Sequence, residues 1–173
     1  LANKNGINTF HGYLDDKAMN PIKNGADLIL ASNVFAHADD LESMAESMKK
    51  LVKPDGKIII EVQYLLNTIQ DLTFDNIYHE HTNYWSLSAL NIFLKKLDLK
   101  IFKVEKIDTH GGSIRAYVSQ DKSILVDQSV NTTLQEEEEF GLKNISTYLE
   151  FGKKIENLKK EVVKNLKVLK EKY

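Results

Sequence analysis

The 173 residues suffice for one domain with a hydrophobic core, and 42% apolar with 28% charged residues is typical of a globular protein. The formal net charge of −2 gives no indication of a nucleic-acid-binding surface, and the absence of cysteine excludes disulfides and thiolate metal sites within this chain. No apolar run is long enough to span a membrane and no signal peptide opens the chain, so we expect a cytoplasmic location. Because the chain begins at Leu1 rather than methionine, we expect it to be a piece of a longer protein.

The first predicted elements form a strand–helix–strand unit. The apolar run "ADLILASN" (26–33) is typical of a strand buried on both faces of a parallel sheet. Asp39 or Asp40 can cap the following helix, whose apolar residues recur at spacings of three and four: Leu41, Met44, Met48 and Leu51. The turn "KPDG" (53–56) is predicted to end this helix, and "KIIIEV" (57–62) is predicted to form a second buried strand.

The next elements predict an antiparallel addition to this sheet. Ser86 can cap a helix with one apolar face, formed by Leu87, Leu90, Leu94 and Leu97. Residues 100–107 and 113–120 alternate as strands do, and the short connection "DTHGG" makes them antiparallel neighbours. The sequence therefore predicts an α/β sheet with parallel strands first and an antiparallel pair at its end.

The remainder of the chain is predicted to be helical. Thr133 and Glu136 have the spacing of a capping box. An apolar stripe follows at spacings of three and four, formed by Ile155, Leu158, Val162, Leu166 and Leu169. This stripe predicts a helix or helix pair that packs on the sheet or on a partner piece, because about two heptads are too few to argue for a coiled coil.

Polar side chains with useful chemistry follow the two predicted parallel strands. His37 follows the first strand, and "YHEH" (78–81) follows the second. In parallel α/β sheets ligands bind beyond the carboxyl ends of the strands, so both groups are predicted to meet at one edge. Taken alone, His37 fits a solvated or helix-capping loop residue better than a functional one, and His11 is interpreted as a surface residue.

The segments "ASNVFAHADD", "DNIYHEHTNYWSLSAL" and "THGGSIR", in this order and at these separations, resemble the sugar C-methyltransferases. Those enzymes use S-adenosylmethionine and act on nucleotide-linked keto-deoxysugars. The resemblance extends from about Gly6 to Tyr117, and more weakly through the acidic helix beyond. It implies the second half of a Rossmann-like class I methyltransferase fold in residues 1–121 and the helical start of a C-terminal region in residues 122–173.

The resemblance also implies roles for individual residues. C-methylation next to a ketone requires removal of a carbon-bound proton, and histidine, with an ordinary pKa of about 6.5, suits this task. By resemblance His81 is the general base, and Glu80 orients an imidazole or binds a sugar hydroxyl. Tyr78 donates a hydrogen bond to the oxygen that becomes the enolate, and His37 approaches the same oxygen.

These roles require a particular backbone in the 78–81 segment. In a regular strand alternate residues share a face, so Tyr78 and Glu80 would point away from His81. If all three enter one pocket, the segment must be an irregular loop. His79 is then left with a structural role.

Contacts to the methyl donor are also implied by the resemblance. Leu14 and Asp15, in "HGYLDD", are the candidates beside the adenine. Ala31 and Asn33, at the end of the first strand, are the candidates beside the methionine portion. Asp15 and Asp16 fit a helix N-cap pair at least as well.

The segment "HGGSIR" supplies the predicted substrate-binding residues His110, Gly111, Ser113 and Arg115. Its two glycines let the backbone approach a ligand closely, and Arg115, the only arginine, is a bidentate partner for the diphosphate of a nucleotide sugar. Equally, the glycines permit a tight hairpin while Arg115 pairs with a nearby carboxylate.

Several family features are absent from this sequence: a cysteine-rich N-terminal region that binds zinc, a glycine-rich loop, and an acidic residue that holds the donor's ribose. We therefore expect this chain alone to be inactive and to bind S-adenosylmethionine weakly or not at all. Two alternatives stay open. One is a metal-dependent enzyme that uses His79 and His81 with His37 or His110. The other is a non-catalytic α/β interaction domain whose long C-terminal helix binds a partner.

Overall fold

The computed structural model describes residues 1–14, 22 and 24–172. Every strand and helix expected from the sequence is present, with a short additional helix after the second strand. In chain order the strands and α-helices are β1 (Ala26–Ser32), α1 (Leu41–Leu51), β2 (Val52–Gln63), α2 (Leu65–Gln70), α3 (Leu87–Lys96), β3 (Lys100–Ile107), β4 (Ser113–Ser119), α4 (Gln128–Phe140) and α5 (Ile145–Lys172).

The four strands form one mixed sheet in the order β1-β2-β4-β3. β1 and β2 are parallel, whereas β4 runs antiparallel to both β2 and β3. The predicted combination of parallel strands with an antiparallel pair is therefore confirmed. Since β1 and β2 are parallel neighbours, their carboxyl ends lie at the same edge of the sheet.

The first helix begins as predicted but ends differently. The Asp40 carboxylate accepts hydrogen bonds from the Ser43 amide at 2.9 Å and hydroxyl at 2.7 Å, which caps α1. The predicted turn at 53–56 lies inside β2, because α1 runs directly into the strand. An irregularity in the pairing with β1 accommodates these residues between the Ala26–Val52 and Leu28–Lys57 pairs.

The hydrophobic core lies on one face of the sheet. Ile58, Ile60 and Val62 of β2 are fully buried, and they belong to one cluster with the buried residues of α1, α2, α3 and α4. On the opposite face Leu28 is 57% exposed and Leu30 is 62% exposed. The prediction that residues 26–33 are buried on both faces is therefore wrong. β1 is one of the two edge strands, and no described helix covers this face.

The C-terminal helices differ in their packing. The Asp127 carboxylate accepts from the Ser129 amide at 2.9 Å and caps α4, so the predicted capping box is wrong because Thr133 lies buried in the middle of this helix. The Ser129 hydroxyl accepts from the Val104 amide at 3.1 Å, which ties α4 to β3. None of the 28 residues of α5 is buried, and Phe151 is only partly buried against the core cluster, so α4 makes the buried contacts of the predicted helix pair. No helix within the described residues is long and apolar enough to cross a membrane.

Candidate active site

A cleft of about 170 Å³ lies where β1 and β2 end. Asn33 directly follows β1, and Gln63 is the last residue of β2. The predicted meeting of polar groups at this edge therefore occurs in the structure. The cleft is lined by two asparagines, three histidines and three other residues: Asn33, Asn76, His37, His81, His110, Ala36, Gln63 and Tyr78.

The 78–81 segment is an irregular turn, as predicted. The His81 amide donates to the Tyr78 carbonyl at 3.1 Å, and no strand passes through these residues. Tyr78 and His81 consequently line the cleft together. The His79 side chain is 89% exposed outside the cleft, with its Nε2 3.9 Å from a Glu80 oxygen.

His81 is held in one tautomer by the backbone. Its Nδ1 lies 2.8 Å from the Asn76 carbonyl oxygen, which can only accept a hydrogen bond. Nδ1 therefore carries the proton when the ring is neutral, and the lone pair is at Nε2. The Tyr78 hydroxyl lies 3.3 Å from this Nε2 and donates to it. A nitrogen whose lone pair faces the cleft, and which becomes available when the Tyr78 hydroxyl turns away, is what a general base requires.

His37 is oriented by the same kind of contact. It ends the 3-10 turn Phe35–His37, and its Nδ1 lies 2.8 Å from the Glu80 carbonyl oxygen. Its lone pair is therefore also at Nε2 in the neutral ring. The His37 and His81 ring centroids are 4.8 Å apart, so the two imidazoles share one small volume.

Glu80 contacts an imidazole through its backbone, whereas the sequence predicted that its side chain would contact an imidazole or a sugar hydroxyl. The carbonyl of Glu80, rather than its carboxylate, orients His37. The side chain is 63% exposed and lies 3.9 Å from His79, outside the cleft lining. A contact between this carboxylate and substrate stays a prediction.

The loop between β3 and β4 places His110 in the cleft. The Gln63 side-chain amide donates to the His110 carbonyl at 2.9 Å, and the Tyr64 amide donates to the Gly112 carbonyl at 3.0 Å. Gly112 has a φ of +101°, and a Cβ there would lie 2.6 Å from the Asn67 side chain. Gly112 therefore permits the backbone of this loop to approach α2 closely. Sequence reasoning missed Gln63, whose signal is a polar side chain at the end of an apolar strand.

The other predicted substrate-binding residues lie outside the cleft lining. Gly111 is exposed and does not line the cleft, and a Cβ there would lie 3.4 Å from both the Asn76 and the Thr73 side chains. Ser113 is 1% exposed, and its hydroxyl donates to the Thr109 carbonyl at 3.0 Å. Since this hydroxyl already has its partner within the loop, its predicted role in binding substrate has no support from the geometry.

Arg115 is paired with carboxylates. Its Nε and Nη2 donate to one oxygen of Glu61 at 3.1 and 2.9 Å, and its Nη1 lies 3.7 Å from Glu105. The other oxygen of Glu61 accepts from Ser32 at 3.1 Å and Asn33 at 3.4 Å. This is the alternative that the sequence left open. The predicted contact with a diphosphate would have to compete with Glu61.

The pKa of Glu61 reflects this pairing. Burial raises the pKa, but the hydrogen bonds from Arg115, Ser32 and Asn33, together with the charge of Arg115, lower it further, so it lies below the ordinary carboxyl value. A lowered folded-state pKa contributes stability above the unfolded pKa of about 4.3, and this contribution is lost as pH falls through the folded pKa.

We therefore expect acid to destabilise the wild-type chain more steeply than E61Q. Urea unfolding followed by circular dichroism, in steps from about pH 6 to below pH 4, measures the free energy of unfolding of both. The wild-type curve should fall toward that of E61Q as Glu61 takes up its proton. Parallel curves would contradict the lowered pKa.

The predicted donor-binding residues lie in different environments, and only some of them are accessible to a ligand. Asn33 lines the cleft with a φ of +53°, held by its side-chain contact to Glu61. Ala31 is 3% exposed in the core, so its side chain offers no surface to a ligand. Leu14 is half-buried against the core cluster. Asp15 lies outside the described residues.

The described residues contain no group of three or more histidine, aspartate or glutamate side chains arranged to hold a metal ion. His79 points to solvent while His81 lines the cleft. The alternative of a metal site built on both rings is therefore not supported by their geometry.

Comparison with known proteins gives consistent matches. Residues 3–104 match the family model described as methyltransferase domain, and residues 108–173 match the C-methyltransferase C-terminal domain. The chain is 30% identical over 138 residues to the C-methyltransferase NovU of Streptomyces niveus, which covers 79% of this chain and 33% of NovU. It thus spans about a third of the length of the curated relative that it matches.

A solved structure shows the same fold. The mitomycin 7-O-methyltransferase MmcR superposes with a TM-score of 0.51 at 16% identity, over 69% of this chain and 37% of that chain. At this identity the likeness concerns the fold alone. It bears out the Rossmann-like methyltransferase fold predicted from the sequence.

Proposed function

Because the chain belongs to the methyltransferase-domain family, we propose that it forms part of an S-adenosylmethionine-dependent C-methyltransferase in which His81 is the general base. The proposed acceptor is the carbon next to the ketone of a nucleotide-linked keto-deoxysugar. The observation that carries the proposal is the hydrogen bond between His81 Nδ1 and the Asn76 carbonyl, which leaves the lone pair of Nε2 at the cleft.

The geometry supports removal of a carbon-bound proton. His81 Nε2 accepts the proton, and the electron pair of the broken C–H bond moves into the enolate. When bound, S-adenosylmethionine supplies an electrophilic methyl group for the resulting nucleophilic carbon. The contact to Asn76 keeps the imidazole fixed before and after it takes up the proton, which lowers the cost of orientation.

The enolate oxygen needs hydrogen-bond donors. The Tyr78 hydroxyl is one candidate, because it lies 3.3 Å from the base and can turn from Nε2 to the ligand. A neutral His37 cannot donate from Nε2, since its proton is at Nδ1 against the Glu80 carbonyl. His37 can therefore serve this oxygen only as the imidazolium, while His81 must be neutral to act as base.

The described residues fit one part of such a site. Their cleft of about 170 Å³ is smaller than the ~300–1,000 Å³ of ordinary ligand pockets. Asn33 would hold the methionine portion of the donor, and Leu14 would lie on the adenine side. The exposed leucines on the open face of the sheet support the assignment of residues 1–121 to half of a methyltransferase domain. Residues 122–173 would then begin the C-terminal region.

Proton exchange tests the reaction class directly. We expect the protein that contains this chain to incorporate deuterium at the carbon next to the ketone. The substrate is incubated in D₂O with S-adenosylhomocysteine in place of the donor, and uptake is followed by proton NMR. Loss of the signal of that one proton, at a rate proportional to enzyme concentration, is the expected result.

Two outcomes would contradict the proposal. One is the absence of enzyme-dependent exchange at that carbon. The other is a product, formed with the intact donor, that carries the new methyl group on oxygen or nitrogen. A sugar without the ketone is the control, and its ring protons should not exchange because no enolate can form.

A further inference from the structure

Glu137 of α4 is a buried carboxylate that the proposed reaction does not use. Its exposure is 2%, whereas Glu138 and Glu139 beside it are exposed. It lies seven residues after Val130 and four after Thr133, on the helix face that packs inward. An ionised carboxylate in such a place requires hydrogen-bond donors.

Those donors are the backbone amides that begin α3. One Glu137 oxygen accepts from the Leu87 amide at 2.5 Å, and the other accepts from the Ser88 amide at 2.9 Å. The first amides of a helix have no acceptor within the helix. The Ser86 hydroxyl accepts from the Ala89 amide at 3.1 Å. Glu137 accepts from the other two amides of this first turn, those of Leu87 and Ser88.

The start of α3 is the end of the segment that carries His81. Trp85 is buried, its carbonyl accepts from the Leu65 amide at 2.9 Å, and its ring lies 5.6 Å from that of Phe35. Only five residues separate His81 from Leu87. The position of the first turn of α3 therefore limits where the His81 backbone can lie.

The same segment also holds the neighbourhood of His37. The Asn83 amide donates to the Ala36 carbonyl at 3.2 Å, and the Asn83 side chain donates to the Ala38 carbonyl at 3.3 Å. These two carbonyls flank His37 in the chain. A shift at the start of α3 would thus be transmitted to both imidazoles.

A second feature links Glu137 to the end of β2. Burial, and after it the negative charge of Glu137, raises the pKa of the Tyr64 hydroxyl. Tyr64 directly follows the cleft residue Gln63, and its amide donates to the Gly112 carbonyl. Glu137 therefore acts where α4, the start of α3 and the end of β2 meet.

We propose that Glu137 is a positioning residue for His81, through which α4 fixes the start of α3 and the catalytic segment before it. The inference rests on the proposed function, because that function assigns His81 as the base. It gives the region around α4 a part in forming the active site.

The test uses NMR of the imidazoles in the 173-residue chain, without donor or substrate. Long-range proton–nitrogen spectra report the tautomer of each ring, and H81Q identifies the signals of His81. In the wild type we expect the Nδ1–H tautomer for His81 when it is neutral. In E137Q one carboxylate oxygen is replaced by an NH₂ group, which can donate but cannot accept. The His81 signals should therefore shift or split toward a mixture of tautomers. E138Q, an exposed change in the same helix, should leave them in place.

Each outcome bears on the proposal. His81 signals in folded E137Q that match those of E138Q would overturn it. If E137Q does not give the wild-type circular dichroism spectrum, E137D retains the charge and carries the same comparison. Failure of both to fold would show a role in overall stability and would also overturn the positioning role. Because this readout needs no turnover, a negative result leaves the assignment of the base intact.

Discussion

Replacement of His81 by glutamine is expected to slow deuterium uptake at the carbon next to the ketone by about 10²–10⁴-fold, which is the usual contribution of a positioned general base. Glutamine can keep a hydrogen bond to the Asn76 carbonyl through its amide, but it has no nitrogen lone pair that can take up a proton. The loss should therefore appear in the rate rather than in the fold. It is measured by the exchange experiment in D₂O, with circular dichroism to verify folding.

The matched control for this change is H79Q, two residues away. The His79 side chain is 89% exposed and lies outside the cleft, so the exchange rate should stay within about twofold of the wild type. An equal loss in H79Q and H81Q would contradict the assignment of the base. Near-normal exchange in H81Q would do so as well.

The elements of the fold could be predicted from local patterns because their causes are local. Apolar spacing located each strand and the longer helices, and Ser86 caps α3 as expected, with its hydroxyl accepting from the Ala89 amide. The surroundings of an element were harder to predict from the sequence. β1 has the composition of a strand buried on both faces, yet Leu28 and Leu30 are exposed because burial depends on what covers a strand.

The candidate site could be predicted at the level of the segment and less well at the level of the atom. The spacing rule for strands correctly required an irregular backbone at 78–81, and the positions of His37 and His81 after neighbouring strands brought them together. The tautomers could not be predicted, because they depend on the carbonyls of Asn76 and Glu80. Backbone groups are present at every residue and leave no pattern in a sequence.

The burial of two carboxylates was the largest feature that the sequence did not predict. Glu61 and Glu137 lie in an apolar strand and in a run of four glutamates, where charged residues suggest a solvated surface. Their burial depends on partners distant in sequence: Arg115 is 54 residues from Glu61, and Leu87 is 50 residues from Glu137.

Replacement of Arg115 by methionine should have the largest effect on stability among the changes considered. Glu61 has an exposure of 6%, so loss of its cation leaves a buried carboxylate with only Ser32 and Asn33 as donors. Removal of one partner of a buried ion pair costs ~3–5 kcal/mol, and a value near the lower end is expected because the Arg115 side chain is 35% exposed. Urea unfolding of the 173-residue chain at neutral pH measures this loss.

Two further variants distinguish the buried pair from a general effect of lost charge. K103M removes a cation from the same sheet, where Lys103 pairs at 2.7 Å with the more exposed Glu105, and it should cost only ~0–1 kcal/mol. The double variant E61Q/R115M should be more stable than R115M, because the neutral amide no longer needs a cation. If R115M is no less stable than K103M, or if the second change restores nothing, then Glu61 does not hold Arg115 in place. Arg115 would in that case be free for the diphosphate contact that the sequence first suggested.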